Sequence, residues 1–437
     1  MQKLTRRFVT LALVLVPLAH LAFAQEHWVA TWAASPQQPQ QPRPPQPPPA
    51  VPAGTPAPPQ QAAPPPPITN FHNQTVRMIV RTSIGGRRVR VQLSNAFGAG
   101  PLLVGTAHVA LRDKESAIVA GSDRALAFNG KPAVMIPPGA QMVSDPVDLN
   151  VPPLSDLAIS VYIPGDSGPL TTHGTALHTT YISQAGDSAG APALPDAVTR
   201  VTWYWISGID VLAPAAAGAI VAFGDSITDG ATSTVDADRS WPSMLARRLV
   251  ANPATANLAI VNQGISGNRL LRDNAGVNAL ARLDRDVLSQ PGVKWMTLME
   301  GINDIGRGTG RDALASDAVT PDDLIGALRQ IVERAHTRGI KVIGCTLTPY
   351  EGAAYYSETG EVMRQAVNRW IRTAGAFDAV VDFDAVVRDP DNPKRIRPDF
   401  NERDHLHPND AGYKAMADAM DLAIFAPKTI SASAQNR

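Results

Sequence analysis

The sequence predicts a doubly wound α/β domain, with a parallel five-stranded sheet and flanking helices, preceded by an all-β sandwich of jelly-roll type. Three observations carry this. From Val76 to Leu212 polar and apolar residues alternate with period two between Pro and Gly punctuation. Beyond Pro214 short apolar runs alternate with longer segments of helical period. The 437 residues, 44% hydrophobic, suffice for two separate cores.

Residues 1–24 read as a signal peptide. Lys3, Arg6 and Arg7 precede an apolar run from Phe8 to Ala22, which ends in small residues at Ala22-Phe23-Ala24. The run is short and holds Pro17 and His20, which argues against a membrane anchor. Phe8 follows Arg7 directly, so the twin-arginine pattern is imperfect and general secretion fits better. The destination is secreted or periplasmic, in a bacterium.

An N-terminal strand is expected in residues 25–35. In residues 36–67 about half of the positions are proline, which predicts an extended linker or loop insertion. The sandwich domain follows over 68–213. Val76 to Thr82 and Arg88 to Leu93, separated by Gly85-Gly86, read as a β-hairpin. Further strands are expected at Ala107 to Leu111, Ala133 to Ile136 and Leu157 to Ile163. Arg77, Arg81, Arg87, Arg88 and Arg90 read as the solvated face of a sheet. Trp203, Tyr204 and Trp205 either pack between the domains or stack on sugar.

The α/β domain is assigned to 214–427, with a flexible tail at 428–437. Its strands are expected at Ala219 to Phe223, Leu258 to Gln263, Val293 to Met299, Lys341 to Leu347 and Ala379 to Phe383. Helices are expected over Ser240 to Leu249, Asn278 to Leu288, Pro321 to Arg338 with Gly339 as the stop, Glu358 to Ala374, and Asp410 to Leu422 behind an Asn409 cap.

The formal net charge is +0, so no global field attracts nucleic acid or an anionic membrane, and neither is an expected partner. No later stretch of about 20 apolar residues predicts membrane insertion. Cys345 is the only cysteine, which excludes an intramolecular disulfide and reads as a buried, inert thiol.

Ligands of open parallel sheets bind beyond the carboxyl ends of the strands. There the first strand runs into Gly224-Asp225-Ser226, the second into Gly264 through Asn268, and the third into Glu300-Gly301-Ile302-Asn303. A serine on a strand-to-helix turn can present its hydroxyl as a nucleophile. Its own N–H, a Gly264 N–H and the Asn303 amide can converge on one oxyanion. The hydroxyl still needs a base, and Asp404 three residues before His407 can orient that imidazole from one loop. Asp225, Asn268, Tyr350 and His405 are the candidates for substrate contact. His405, His407, Asp404 and Asp410 also resemble metal ligands. That reading is weaker, because a catalytic zinc normally takes three protein ligands with a defined outer shell, and only His336 is found elsewhere in the α/β part. No metal or other cofactor is expected.

With these residues the chain resembles the GDSL or SGNH hydrolase family. The resemblance implies Ser226 as nucleophile, Gly264 and Asn303 in the oxyanion hole, and Asp404 with His407 completing the triad. Ile227 stands where the family name has Leu. Trp28 to Pro36, Trp-Val-Ala-Thr-Trp-Ala-Ala-Ser-Pro, also resembles the start of secreted bacterial members that carry a β-sandwich ahead of the hydrolase.

The expected function is ester hydrolysis through an acyl-serine, on short-acyl, carbohydrate-linked or other small-molecule esters, because neither Glu300 to Pro321 nor Tyr350 to Tyr356 forms a large apolar lid. Rival readings are an acyltransferase using the same residues, a lipase or phospholipase, and a glycan-binding protein with an idle α/β domain.

Overall fold

In the computed structural model the α/β region folds around a five-stranded parallel sheet, and the description covers residues 26–39, 66–401 and 403–426. The expected signal peptide, most of the proline-rich span and the tail lie outside those residues.

Strands run Leu258–Gly264, Gly218–Gly224, Val293–Met299, Lys341–Cys345 and Ala379–Val381 across the sheet, a 2-1-3-4-5 order with every pair parallel. Ile220 to Phe223 in the second of these positions are 0% exposed, as a strand covered on both faces requires. The last strand ends two residues before the expected Phe383. Asp382 turns its side chain onto the Ala385 N–H and caps a short helix, Phe383–Val387, instead.

The helices form two layers. α1 is a single turn, Ser226–Asp229, and α2 spans Trp241–Ala251 behind an Ser240 cap. α3, Ala279–Leu283, continues as a π turn over Asp284–Leu288, so the expected 278–288 helix is present but wider in its second half. α4, Ile302–Thr309, was not foreseen, since Gly306 and Gly308 lower its helical propensity. Gly306 is needed there because a Cβ would lie 2.3 Å from the Tyr355 ring. α5 spans Pro321–His336, α6 Glu358–Thr373, α7 is Phe383–Val387 and α8 is Asp410–Ala419. α2, α7 and α8 pack together, and α3, α4, α5 and α6 form the other layer.

Two large antiparallel sheets dominate the preceding region, with two further two-stranded pairings, Leu102–Val104 with Val134–Ile136 and Thr172–His173 with Trp203–Tyr204. One large sheet is ordered Val198–Arg200, Thr180–Ala185, Gln74–Arg81, Asp156–Ile163, Thr106–Leu111, Arg124–Ala125. In the other, Trp28–Ala33 pairs with Ile206–Leu212, which pairs with Gly86–Ser94. Val76, Met78 and Val80 of the first sheet and Val89, Val91 and Leu93 of the second share one core. The expected hairpin is therefore wrong. Gln74–Arg81 and Gly86–Ser94 lie in different sheets, and Gly85-Gly86 is the crossover between them. Both strands carry an apolar face of the same period, and facing each other across a core buries both faces where side-by-side pairing would not. Arg77 also departs from expectation. It is 0% exposed, and its guanidinium donates to Ser160 Oγ at 2.8 Å and to the carbonyls of Ser116 and Ala191 at 2.6 and 2.7 Å. Burial lowers its pKa to about 10. Trp203 to Trp205 are buried, with Trp203 packed edge-on to Trp32 at 4.8 Å, while Tyr204 also lines a cleft shared with Ser226 and His407.

Trp28–Ala33 is the seam between the two regions. Val29 belongs to the sandwich core and Ala30 to the α/β core, while the Ala30 N–H donates to Pro291 O at 2.9 Å.

Candidate active site

The 2-1-3-4-5 strand order reverses direction at Gly218–Gly224, and the helices leaving the first and third strands diverge there, opening a crevice at the carboxyl edge. Ser226 stands at that point as the first residue of α1. Asp225 caps the turn by accepting from the Ile227 N–H at 3.0 Å, and Gly230, with φ 104°, ends it. Gly224 lets the strand run into the turn, because a Cβ would sit 2.3 Å from Thr228 Oγ1 and 2.6 Å from Met299 O.

The loop before α8 brings the imidazole. His407 Nε2 lies 2.7 Å from Ser226 Oγ, and Nδ1 lies 2.5 Å from Asp404 Oδ2. Asp404 Oδ1 accepts from the Leu406 and His407 N–H groups at 3.0 Å each, which locks the carboxylate in the i, i+3 turn. Asn401 ties the loop by donating to His407 O at 2.7 Å. Partial burial pushes the Asp404 carboxyl up, but the bonds from the His407 ring and backbone outweigh it and hold it well below the usual carboxylate range.

Asn303, first turn of α4, donates one amide hydrogen to Asn268 O at 3.0 Å and accepts from the Tyr355 hydroxyl at 3.2 Å. The amide is thereby oriented, with its second hydrogen left toward the cleft that Ser226 and His407 also line. Gly264 ends its strand beside Gly224 but does not line this cleft. Its N–H donates to Asn262 Oδ1 at 2.9 Å, and a Cβ there would lie 2.3 Å from the Asp229 N. Its glycine identity serves close packing under α1. Gly267, three residues on, lines the cleft instead, at φ 82° and with an N–H that has no protein acceptor among the described residues. Sequence reasoning chose the wrong glycine of the Gly264-Ile-Ser-Gly267 segment, because both fit a turn and only the fold shows which N–H is already used.

The expected substrate contacts are placed elsewhere. Asp225 is a buried cap, and Asn268 is spent on Ala275 O, Val277 O and the Arg282 guanidinium. Tyr350 is 0% exposed within the α/β core, and of the Tyr350 to Tyr356 loop it is Tyr355 that reaches the cleft. His405 is exposed, packed over Gly352 and away from the cleft lining.

Arg282, from α3, was not foreseen either, since nothing in a lone helical arginine distinguishes it. Its fully buried guanidinium donates to Gly224 O at 2.9 Å, Gln263 O at 2.7 Å, Glu300 Oε1 at 3.2 Å and Asn268 Oδ1 at 2.9 Å. One planar cation thus holds three strand ends together, a task for which a lysine lacks the donors. Around it burial pushes Asp225 up to about 7, Asp304 up to about 6, and Glu300 well above the carboxylate range.

The cleft holds about 840 Å³, and both regions wall it. Gln37, Thr175, Arg200 and Thr202 come from the sandwich side, and Tyr355 and Leu406 from the α/β side. No helix among the described residues is long and apolar enough to cross a membrane.

A hydroxyl, an imidazole and a carboxylate in line at the switch point of a parallel sheet, beside free amide donors, define the class as a carboxylic ester hydrolase. The model of the family described as GDSL-like Lipase/Acylhydrolase matches residues 220–420, nearly the whole α/β region. No curated protein matches the sequence. Among solved structures, the chain is similar to the acetylxylan esterase Axe2 from Geobacillus stearothermophilus at 23% identity, covering 47% of this chain and 93% of that one with a TM-score of 0.38. It is similar to LAE5, an alpha/beta hydrolase from the metagenome of Lake Arreo, at 24% identity, covering 48% and 96% with a TM-score of 0.38. A GDSL-like lipase from Bacteroides thetaiotaomicron is 20% identical, covering 47% and 87% with a TM-score of 0.34.

Proposed function

We propose that the protein is a secreted serine ester hydrolase that cleaves short-acyl, carbohydrate-linked esters through an acyl-serine intermediate. The 2.7 Å contact between Ser226 Oγ and His407 Nε2 carries the reading. Export rests on the sequence of residues 1–24.

Ser226 Oγ attacks the ester carbonyl carbon as His407 Nε2 takes its proton, and Asp404 stabilises the imidazolium that results. The tetrahedral oxyanion is held by the N–H of Ser226, which as the first helical residue has no acceptor within α1, by the Gly267 N–H, and by the Asn303 amide. His407 then protonates the leaving alcohol as the carbon–oxygen bond breaks. Water then attacks the acyl carbon as the same nitrogen takes its proton, and His407 returns that proton to Ser226 Oγ as the bond to the serine breaks and the carboxylic acid leaves.

Two features favour this substrate class. The sandwich side of the cleft offers Gln37, Thr175 and Thr202, hydrogen-bonding groups suited to a hydroxyl-rich alcohol, and the volume of about 840 Å³ accommodates more than one sugar ring. On the α/β side Ala231, Ala353 and Ala354 give the cleft small walls. The test is turnover of aryl esters of graded chain length and of acetylated sugars by wild type and Ser226→Ala. Acetyl esters should be cleaved fastest, and only by wild type. Faster cleavage of long-chain esters would overturn the substrate class, and an active Ser226→Ala the mechanism.

A further inference from the structure

Two buried histidines of the sandwich, His173 and His178, have no role in the chemistry above, and His173 is the one that reaches the serine turn. His173, 3% exposed, sits at the end of the short pairing of Thr172–His173 with Trp203–Tyr204 and reaches into the α/β region. Its Nδ1 lies 2.9 Å from Ser35 O and its Nε2 lies 3.0 Å from Asp229 Oδ1. A carbonyl and a carboxylate can only accept, so both ring nitrogens carry hydrogens and the ring is an imidazolium. Burial opposes that charge, as does Arg282, but the attraction and hydrogen bond of Asp229 and the bond to Ser35 O outweigh them and the pKa stands raised.

Asp229 is the last residue of the one-turn α1, three after the nucleophile. Its second oxygen, Oδ2, accepts from the Ser266 N–H at 2.8 Å and the Ser266 hydroxyl at 2.7 Å. Thr175, again from the sandwich, donates to that same hydroxyl at 2.7 Å. One carboxylate therefore spans the serine turn and the loop that presents Gly267, and its counter-charge comes from the other region of the protein. Without that charge, Asp229 would be a buried carboxylate with no ion-pair partner among the described residues, a costly state that the loop could relieve only by moving.

We propose that His173 is a positioning residue: as an imidazolium between Ser35 and Asp229, it lets the sandwich hold the Ser226 turn and the Gly267 loop in the register that ester hydrolysis needs. The inference rests on the ester-hydrolase reading of the cleft. It makes the sandwich part of the reaction centre rather than an appended module.

Nitrogen-15 NMR of the full-length protein at pH 8 reads the ring directly, and the His173 signals should show both nitrogens protonated. His173→Gln, which can donate to Asp229 but carries no charge, should lower kcat for 4-nitrophenyl acetate by roughly 10- to 100-fold with KM nearly unchanged, since small displacements of aligned groups cost that much. Asp229→Asn is the second variant. Its amide would face the ring with a donor, so the ring should turn neutral and kcat fall by a similar factor. A neutral His173 in wild type at pH 8, or kcat within twofold of wild type in either variant, overturns the proposal. Wild-type protein that neither cleaves the ester nor takes up an organophosphonate at Ser226 sinks the underlying hydrolase reading. An active, labelled wild type beside an unimpaired His173→Gln sinks only this one.

Discussion

Ser226 Oγ and His407 Nε2 stand 2.7 Å apart although 181 residues of chain separate them. The contact joins the switch point of the sheet to the loop before its last long helix. The behaviour of the whole site follows from what holds each partner of that contact in place.

Removal of the hydroxyl in Ser226→Ala should reduce ester turnover by roughly 10³- to 10⁶-fold while the folded protein persists. Asp404→Asn should cost about 10⁴-fold, because an amide can stabilise the wrong tautomer of His407. Asp404 also has a sign in acid. Its folded-state pKa is depressed, so its contribution to stability is full above about pH 4, the unfolded value, and is lost as pH falls through the folded one. Acid titration of Asp404→Asn should therefore show a shallower loss of stability below about pH 4 than wild type, and identical acid limbs would remove this role.

Gly264 and Asn303 should separate by phenotype. Gly264→Ala drives a Cβ into the Asp229 backbone and should destabilise the fold by roughly 1–3 kcal/mol, seen in urea midpoints. Asn303→Ala removes an amide that the fold does not depend on for its core and should lower kcat about 10²- to 10³-fold at unchanged KM. Comparable kcat in Asn303→Ala and wild type would place the oxyanion elsewhere.

Beneath the serine, the raised carboxyls give a second pH dependence of opposite sense. Asp225 is pushed up to about 7 and Glu300 well above its ordinary range, burial foremost in both. The folded state thus keeps protons that the unfolded chain releases near pH 4, and stability should fall as pH rises from about 4 to 7. Glu300→Gln takes one of these groups out of the balance. Its stability relative to wild type should improve between pH 5 and pH 8, and a constant difference across that range would argue against the protonated carboxyl.

Cys345 ends the fourth strand at 0% exposure, and burial raises its pKa far above the ordinary thiol value. Iodoacetamide at pH 8 should leave the native protein unmodified and label it stoichiometrically in urea. Rapid labelling of the native state would mean that the sheet opens locally.

All five parallel strands were legible in the sequence, because a strand covered on both faces must be apolar throughout, as Ala219 to Phe223 is. The five expected helices were legible through their helical period, the last also through its Asn409 cap. The meeting of Ser226, His407 and Asp404 was equally legible, since Asp404 and His407 share one loop and Ser226 follows the first strand. What escaped notice depended on which surface met which. Arg77 and Arg81 have the same spacing in the sequence, yet only Arg77 lies under a covering loop. Gly264 and Gly267 differ only in where an Asn262 side chain happens to reach. Arg282 and His173 act on residues far from them in sequence, and no local pattern encodes a partner at that distance. Tyr350 and Tyr355 traded places for the same reason, one turning into the core and the other toward the cleft.

Trp28–Ala33 contributes alternate side chains to both hydrophobic interiors. Neither interior can open without pulling on the other, so heating should produce a single calorimetric transition and not two separable ones. A fragment beginning at residue 214 would lose Ala30 and Ala33 from its own core, along with the Ser35 contact to Arg282. The polypeptide is thus stitched into one cooperative unit by six residues near its start.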